Sequence, residues 1–264
     1  MNVYDEKFYS DIKAGSIRSA AVILPLVATL APLGSCVDVG CGTAGWLRVA
    51  LDCGATRVTG IDGDHVDRSA LQIDAREFVA HELEAPLPPL GRFDLVICLE
   101  VAEHLSIERA ESFVADLCGL GDVVLFSAAV PGQGGSQHVN ERWQSYWVSQ
   151  FEANGYRVFD SIRPWIWNDE RVEFWYRQNV FVAVNMNRCD LVELALARKV
   201  MAPVRWDTPT PEMLRQEMAR TRRAPGIAQA VKDLAKAVTR PARRQLSRWR
   251  RSHGEQAARR LTRQ

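Results

Sequence analysis

The run FDLVICL, residues 93–99, offers almost no polar face to water after Asp94. A strand of that kind must be covered on both sides, which is the situation of a strand inside a parallel sheet. Shorter segments with the same character recur along the chain: CVDVG at 36–40, RVTGID at 57–62, DVVLFSA at 122–128, then YRVF and NVFVAVN at 179–185. Helix-like stretches separate them. AGWLRVALDCG ends at Gly54; Ser106 can cap a helix with Glu108 in its first turn that runs to about Leu117; Asn140 can cap another that stops at Asn154-Gly155. This alternation predicts an α/β fold, a doubly wound, mostly parallel sheet with helices on both faces.

With 264 residues, 47% hydrophobic and 25% charged, the chain has ordinary globular composition, enough for one sizeable core or two small domains. The net charge of +1 hides an asymmetry: residues 221–264 hold thirteen Lys and Arg against Asp233 and Glu255, which leaves the preceding body acidic. Within this tail, apolar residues at 227, 230, 231, 234, 235 and 238 form a helical stripe, followed by arginines around Trp249. Such a segment suits an anionic membrane surface or a nucleic acid, and equally a solvated tail without either partner. The expected organisation is an N-terminal helical segment over 1–34, a nucleotide-binding domain over 35–190 and a helical, basic extension over 191–264.

Cysteines 36, 41, 53, 98, 118 and 189 make no C-x-x-C pair and no metal-like pairing with histidine, so they are expected to be reduced core thiols of a cytoplasmic protein. The apolar stretch AAVILPLVATLAPLG contains Pro25 and is too short to cross a bilayer. The acidic residues before it argue against a signal peptide and for a helix packed on the sheet.

The strongest functional signal is VDVGCGTAG. Gly40, Gly42 and Gly45 stand in G-x-G-x-x-G spacing after a strand and before a helix, where glycines let the backbone turn tightly and approach a ligand. Asp62, about twenty residues on at the end of the second strand, suits ribose hydroxyls, so an adenosine cofactor is expected. A pyrophosphate prefers unopposed backbone donors, whereas Asp38 just before the glycines can meet an ammonium group; that favours S-adenosylmethionine over a dinucleotide.

VDVGCGTAG resembles the D-x-G-x-G-x-G motif of class I S-adenosylmethionine-dependent methyltransferases, with Ala44 in place of the third glycine. GID, FVAHELEAPL and FDLVICLEVAEHL resemble the family's later motifs in order, so the resemblance spans roughly residues 34–186. It implies a seven-stranded Rossmann-like sheet, with Asp38, Gly40, Cys41, Gly42, Asp62, Glu82 and Glu100 around the cofactor, Glu82 facing the adenine amino group.

Glu100, Glu103 and His104 lie at i, i+3 and i+4, on one face if the segment is a helical turn. They wall the pocket, or His104 and His138 serve as bases, or Glu100, Glu103, His104 and His138 ligate a divalent cation; no metal is favoured over the other two. E-x-x-E-H resembles the divalent-ion site of ubiquinone-biosynthesis and small-RNA 2′-O-methyltransferases. GQGGSQHVNERW brings His138, Asn140 and Trp143 to a flexible loop, a set that suits a polyol. It also resembles the H-V-N-E-x-W segment of bacterial methyltransferases found with cell-surface polysaccharide assembly. RPWIWNDERVEFWYRQ, rich in aromatics, is a ligand lid or a packing flap. The expected activity is O-methylation of a sugar or glycan precursor. The alternatives are metal-assisted methylation of a small molecule or RNA, and a cofactor-binding scaffold without catalysis.

Overall fold

The computed structural model describes residues 6–197 together with Asp207, Pro209 and Met213. Seven strands form one sheet, β1 (Ser35–Val39), β2 (Arg57–Asp62), β3 (Phe78–Ala80), β4 (Leu95–Leu99), β5 (Val123–Ser127), β6 (Tyr156–Phe159) and β7 (Phe181–Asn185). Their order is β3-β2-β1-β4-β5-β7-β6. The first five run parallel and β7 pairs antiparallel with both β5 and β6.

The helices are α1 (Glu6–Val27), α2 (Gly45–Asp52), α3 (Ala110–Leu120), α4 (Gln144–Ala153), α5 (Arg163–Ile166), α6 (Phe174–Asn179) and α7 (Cys189–Ala197). They cover both faces, and the strands show why they must. Leu95, Ile97 and Leu99 of β4 join the core cluster that holds Ile23, Leu24, Trp46 and Leu47 of α1 and α2, whereas Val96 and Cys98 join the cluster of Phe113, Leu117, Trp147 and Phe151 from α3 and α4. Alternate residues of an apolar strand point to opposite faces, so FDLVICL supplies both cores at once.

In α1, Ala20, Ile23, Leu24 and Val27 repeat at helical spacing and are buried, as expected of a helix packed on the sheet. No described helix is long and apolar enough to cross a membrane. In α7, Leu191, Val192 and Ala195 are buried in the same cluster as α1. The chain divides into compact units at Met1–Thr210 and Pro211–Gln264; the amphipathic stripe at 227–238 and the arginines around Trp249 lie outside the described residues.

Three expectations need correction. Ser106 does not cap α3, which begins at Ala110 without a side-chain cap; its amide and Oγ instead donate to Glu84 at 2.7 and 2.8 Å. Asn140 does not cap α4, whose first residue is Gln144; it is buried and its Oδ1 accepts from Arg142 Nε at 3.0 Å. Cysteines 36, 41, 98 and 118 are buried, but Cys53 and Cys189 are exposed. The aromatic connection folds as α5 and α6, with Ile166, Val172 and Tyr176 in the core and Trp165 65% exposed.

The α4 side of the core is organised around Phe126, whose ring centroid lies 5.4 Å from Trp147, 5.3 Å from Phe151 and 5.2 Å from Phe181. Phe126→Ala empties the middle of that cluster and is expected to lower unfolding free energy by about 3–5 kcal/mol. Chemical denaturation read by circular dichroism checks it; a loss below about 1 kcal/mol would mean that the cluster collapses around the gap.

Candidate functional site

The strand register decides where the chemistry sits. Asp38 is level with Gly60 of β2 and Ile97 of β4, and Leu99 is level with Ser127 of β5. The segments after β1, β2, β4 and β5 therefore leave the sheet along one edge, the carboxyl edge where open α/β sheets bind ligands.

At the middle of that edge the glycine turn is held from below. Gly40 and Cys41 both donate their amides to the Ile61 carbonyl, at 2.8 and 3.1 Å. Gly40 has φ +80, and a Cβ there would lie 2.3 Å from Val101 Cγ2, so only glycine fits. Gly42, at φ +52, is different: no heavy atom lies within 4 Å of where its Cβ would be, which leaves its face open to the cleft. Ala44, also left-handed at φ 62, is fully buried ahead of α2.

Two carboxylates flank the turn. Asp62 accepts from the amides of Gly42 at 2.7 Å and Gly63 at 2.6 Å, which fixes both loops while leaving lone pairs on each oxygen. Asp38 is 3% exposed. Burial, then the negative charge of Asp62, push its carboxyl well above the ordinary value of 3.8. A carboxylate so placed calls for a cation. Burial likewise raises the Cys41 thiol, so it stands there as a neutral wall. Glu82 is exposed in the turn after β3, where its carbonyl accepts from the Ala85 amide.

The E-x-x-E-H cluster divides. Glu100 adopts φ 57 at the end of β4. Its carboxylate accepts from Gln133 Nε2 at 2.7 Å and Asn179 Nδ2 at 3.0 Å. Glu103 and His104 follow in a short 3₁₀ turn, Ala102–His104. Glu103, Glu100's helical neighbour in the sequence-based expectation, turns to different company: ligand atoms of Glu103, His104 and His138 all lie within 4.8 Å of one another. The amides of Val139 and Asn140 donate to the Glu103 carbonyl at 2.9 and 3.0 Å, which carries the loop after β5 to this point. His104 and His138 meet edge to face at 4.7 Å between centroids.

Glu103 is fully buried, and neither carboxylate oxygen has a hydrogen-bond partner. Burial and the nearby Glu100 push its carboxyl well above the ordinary range. For His104, desolvation and the adjacent His138 lower the imidazole, which favours its neutral form.

One site residue escaped the sequence-based expectations. Glu141 Oε1 lies 3.0 Å from His138 Nδ1, and the Glu141 carboxylate is itself held by the amides of Gly132 at 2.9 Å and Gly134 at 3.2 Å. Both glycines have positive φ, which aims their amides inward. A carboxylate facing Nδ1 keeps the proton there and leaves Nε2 as the acceptor nitrogen. The signal in the sequence was H-x-x-E next to alternating glycines.

The fold is that of S-adenosylmethionine-dependent methyltransferases, and the glycine turn with its flanking carboxylates lies at the sheet edge where such a fold takes its ligand. A family model described as a methyltransferase domain matches residues 16–167. The chain belongs to that methyltransferase domain family. It is similar to a ubiquinone biosynthesis O-methyltransferase of Stutzerimonas stutzeri, 38% identical over 104 residues that cover 34% of this chain and 42% of the relative. The match thus spans less than half of that relative's length. Among solved structures it is similar to the sugar N-methyltransferase KedS8 of a Streptoalloteichus species, with TM-score 0.53 and 14% identity over 70% of this chain and 96% of that one. Another is DesVI of Streptomyces venezuelae, with TM-score 0.50 and 15% identity over 70% and 100%.

The residues fit S-adenosylmethionine: the open face of Gly42 gives backbone access, and the buried Asp38 suits the ammonium group of the amino-acid end. Asp38→Asn tests that pairing and has a definite pH signature. Between 3.8 and the raised folded value, the folded chain holds a proton on Asp38 that the unfolded chain has released. This contribution to stability is therefore complete below 3.8 and lost as pH rises through the folded value. D38N removes that slope, and near neutral pH it is expected to stabilise the ligand-free protein. It should also weaken S-adenosylhomocysteine binding about tenfold or more by calorimetry. Unchanged affinity would separate Asp38 from the cofactor.

Proposed function

We propose that this protein transfers the methyl group of S-adenosylmethionine to a hydroxyl of a sugar or glycan precursor, with His138 as general base. The observation that carries the proposal is the His138–Glu141 pair, with Nδ1 against a carboxylate at 3.0 Å. Gly135 packs against the edge of the ring that carries the other nitrogen, since a Cβ there would lie 2.2 Å from Nε2.

S-adenosylmethionine supplies an electrophilic methyl group on a sulfonium. A hydroxyl attacking it must lose its proton, and a neutral imidazole within hydrogen-bond reach is the usual acceptor near neutral pH. His138 Nε2 takes that proton while Glu141 holds the ring and stabilises the resulting positive charge. Much of the remaining rate comes from holding the acceptor oxygen in line with the methyl group. Oxygen as the acceptor atom agrees with the O-methyltransferase named above. A polyol suits the half-buried Trp143 and the unpartnered Nδ2 of Asn140 in the same loop.

Transfer of labelled methyl from S-adenosylmethionine into sugars, nucleotide sugars and lipid-linked glycans is the primary test; cofactor binding without transfer to any acceptor would favour a scaffold. His138→Ala is expected to lower kcat by about 10²-fold or more. Gly135→Ala drives a methyl group into the ring edge at Nε2, displacing His138, and should have a comparable effect, with S-adenosylhomocysteine affinity held within about threefold in both variants. Undiminished kcat in both would remove His138 from the reaction.

A second proposal rests on the orphaned carboxylate of Glu103. Glu103, His104 and His138 have the donor chemistry to hold a divalent cation, which would lower the pKa of an acceptor hydroxyl. Here chelation should abolish transfer, and Mg, Mn or Zn should restore it. Activity indifferent to both treatments rules the cation out.

A further inference from the structure

Glu100 stands in a closed and directional ring of hydrogen bonds. Gln144 Nε2 donates to the Gln178 carbonyl at 3.1 Å and to Asn179 Oδ1 at 3.1 Å. A carbonyl only accepts, so Gln144 must present its NH₂ there, which turns the oxygen of Asn179 toward Gln144 and its NH₂ the other way. That NH₂ donates to Glu100 Oε1 at 3.0 Å and to Gln133 Oε1 at 2.8 Å. Gln133 in turn donates from Nε2 to Glu100 Oε2 at 2.7 Å. Two amide donors thus converge on position 100, and only a group with two acceptors and no donor closes the ring. Gln133, Gln144, Gln178 and Asn179 are all buried, where a mismatched pair has no water to turn to.

The ring reaches the acceptor side through one residue. Gly132 and Gly134, on either side of Gln133, are the two residues whose amides hold Glu141, and Glu141 holds His138. The Glu100 backbone is equally constrained: its left-handed turn is fixed by its amide, which donates to Ser127 carbonyl at 2.9 Å and Oγ at 3.2 Å. We propose that Glu100 is a positioning residue which, through Gln133, sets the loop that carries the Glu141–His138 pair. It rests on His138 being the acceptor-side base, but its test reads loop geometry rather than transfer.

Glu100→Gln replaces one acceptor by a donor of the same shape, so an NH₂ must face an NH₂ somewhere in the ring. The Gln133–Glu100 hydrogen bond or the Asn179–Gln133 one is then lost. In the double variant E100Q/Q133E the carboxylate moves to position 133, where it accepts from the position-100 amide and from Asn179, and every donor again has an acceptor. The measurement is the nuclear Overhauser contact between the His104 and His138 rings in histidine-labelled full-length protein with S-adenosylhomocysteine, alongside the affinity for that ligand.

The contact is expected to disappear in E100Q and return in E100Q/Q133E, with affinity within about threefold throughout. If E100Q fails to fold, Gln133→Ala, which leaves Glu100 charged, should lose the contact at the same unchanged affinity. A contact that persists in E100Q or Q133A overturns the proposal. So does an affinity loss of about tenfold or more that the double variant does not repair, which would make Glu100 a cofactor ligand instead. If the contact responds as expected but no acceptor is ever methylated, the proposed activity fails and the positioning role of Glu100 stands.

Discussion

Asp62 is the constraint on which the cofactor side depends. Its two oxygens accept from Gly42 and Gly63, one amide in the loop after β1 and one after β2. With Gly40 and Cys41 both donating to Ile61, the glycine turn is stitched to the neighbouring strand rather than free to vary. A turn with three left-handed positions in alternation, at 40, 42 and 44, would otherwise have many conformations to lose. The same carboxylate raises the cost of ionising Asp38 beside it, so the fixation that shapes the cleft also loads it electrostatically.

That load is concentrated along one sheet edge. Asp38, Glu100 and Glu103 all have carboxyls raised by burial, and each is relieved differently. Glu100 is relieved within the chain, by the amides of Asn179 and Gln133. Asp38 and Glu103 are not offset to the same degree by this chain's own donors. Buried acids without partners are destabilising, and a fold retains them where a ligand supplies the missing cation or proton. The relief is therefore uneven along the edge, greatest at Glu100.

Much of the architecture was legible in the sequence because burial on both faces leaves a plain signature: FDLVICL and DVVLFSA have no polar alternation, and each became a central strand. The glycine turn was legible because its spacing sat between a strand and a helix. The geometry of the cluster at 100–104 was not legible, for an identifiable reason. Spacing of i, i+3 and i+4 brings side chains together only on a helix, and this segment leaves β4 through a left-handed residue into a 3₁₀ turn. Ser106 and Asn140 were credible caps by residue type, but Glu84 and Arg142, distant or unremarkable in sequence, engage them instead. Glu141 gave only a short-range hint, since its role depends on amides aimed by Gly132 and Gly134.

The aromatic connection between β6 and β7 packs into the core and also reaches the carboxyl edge of the sheet. Tyr176 is buried against Trp46, with centroids 5.2 Å apart, and its hydroxyl meets Ser16 Oγ at 3.2 Å, so α6 is anchored to α1 and α2 as a packing element. Three residues later the same helix delivers Asn179 to Glu100. A short helix of six residues has little stability of its own. Its core-facing aromatic therefore fixes where its terminal amide falls, and packing on one face of the sheet becomes positional accuracy at the carboxyl edge.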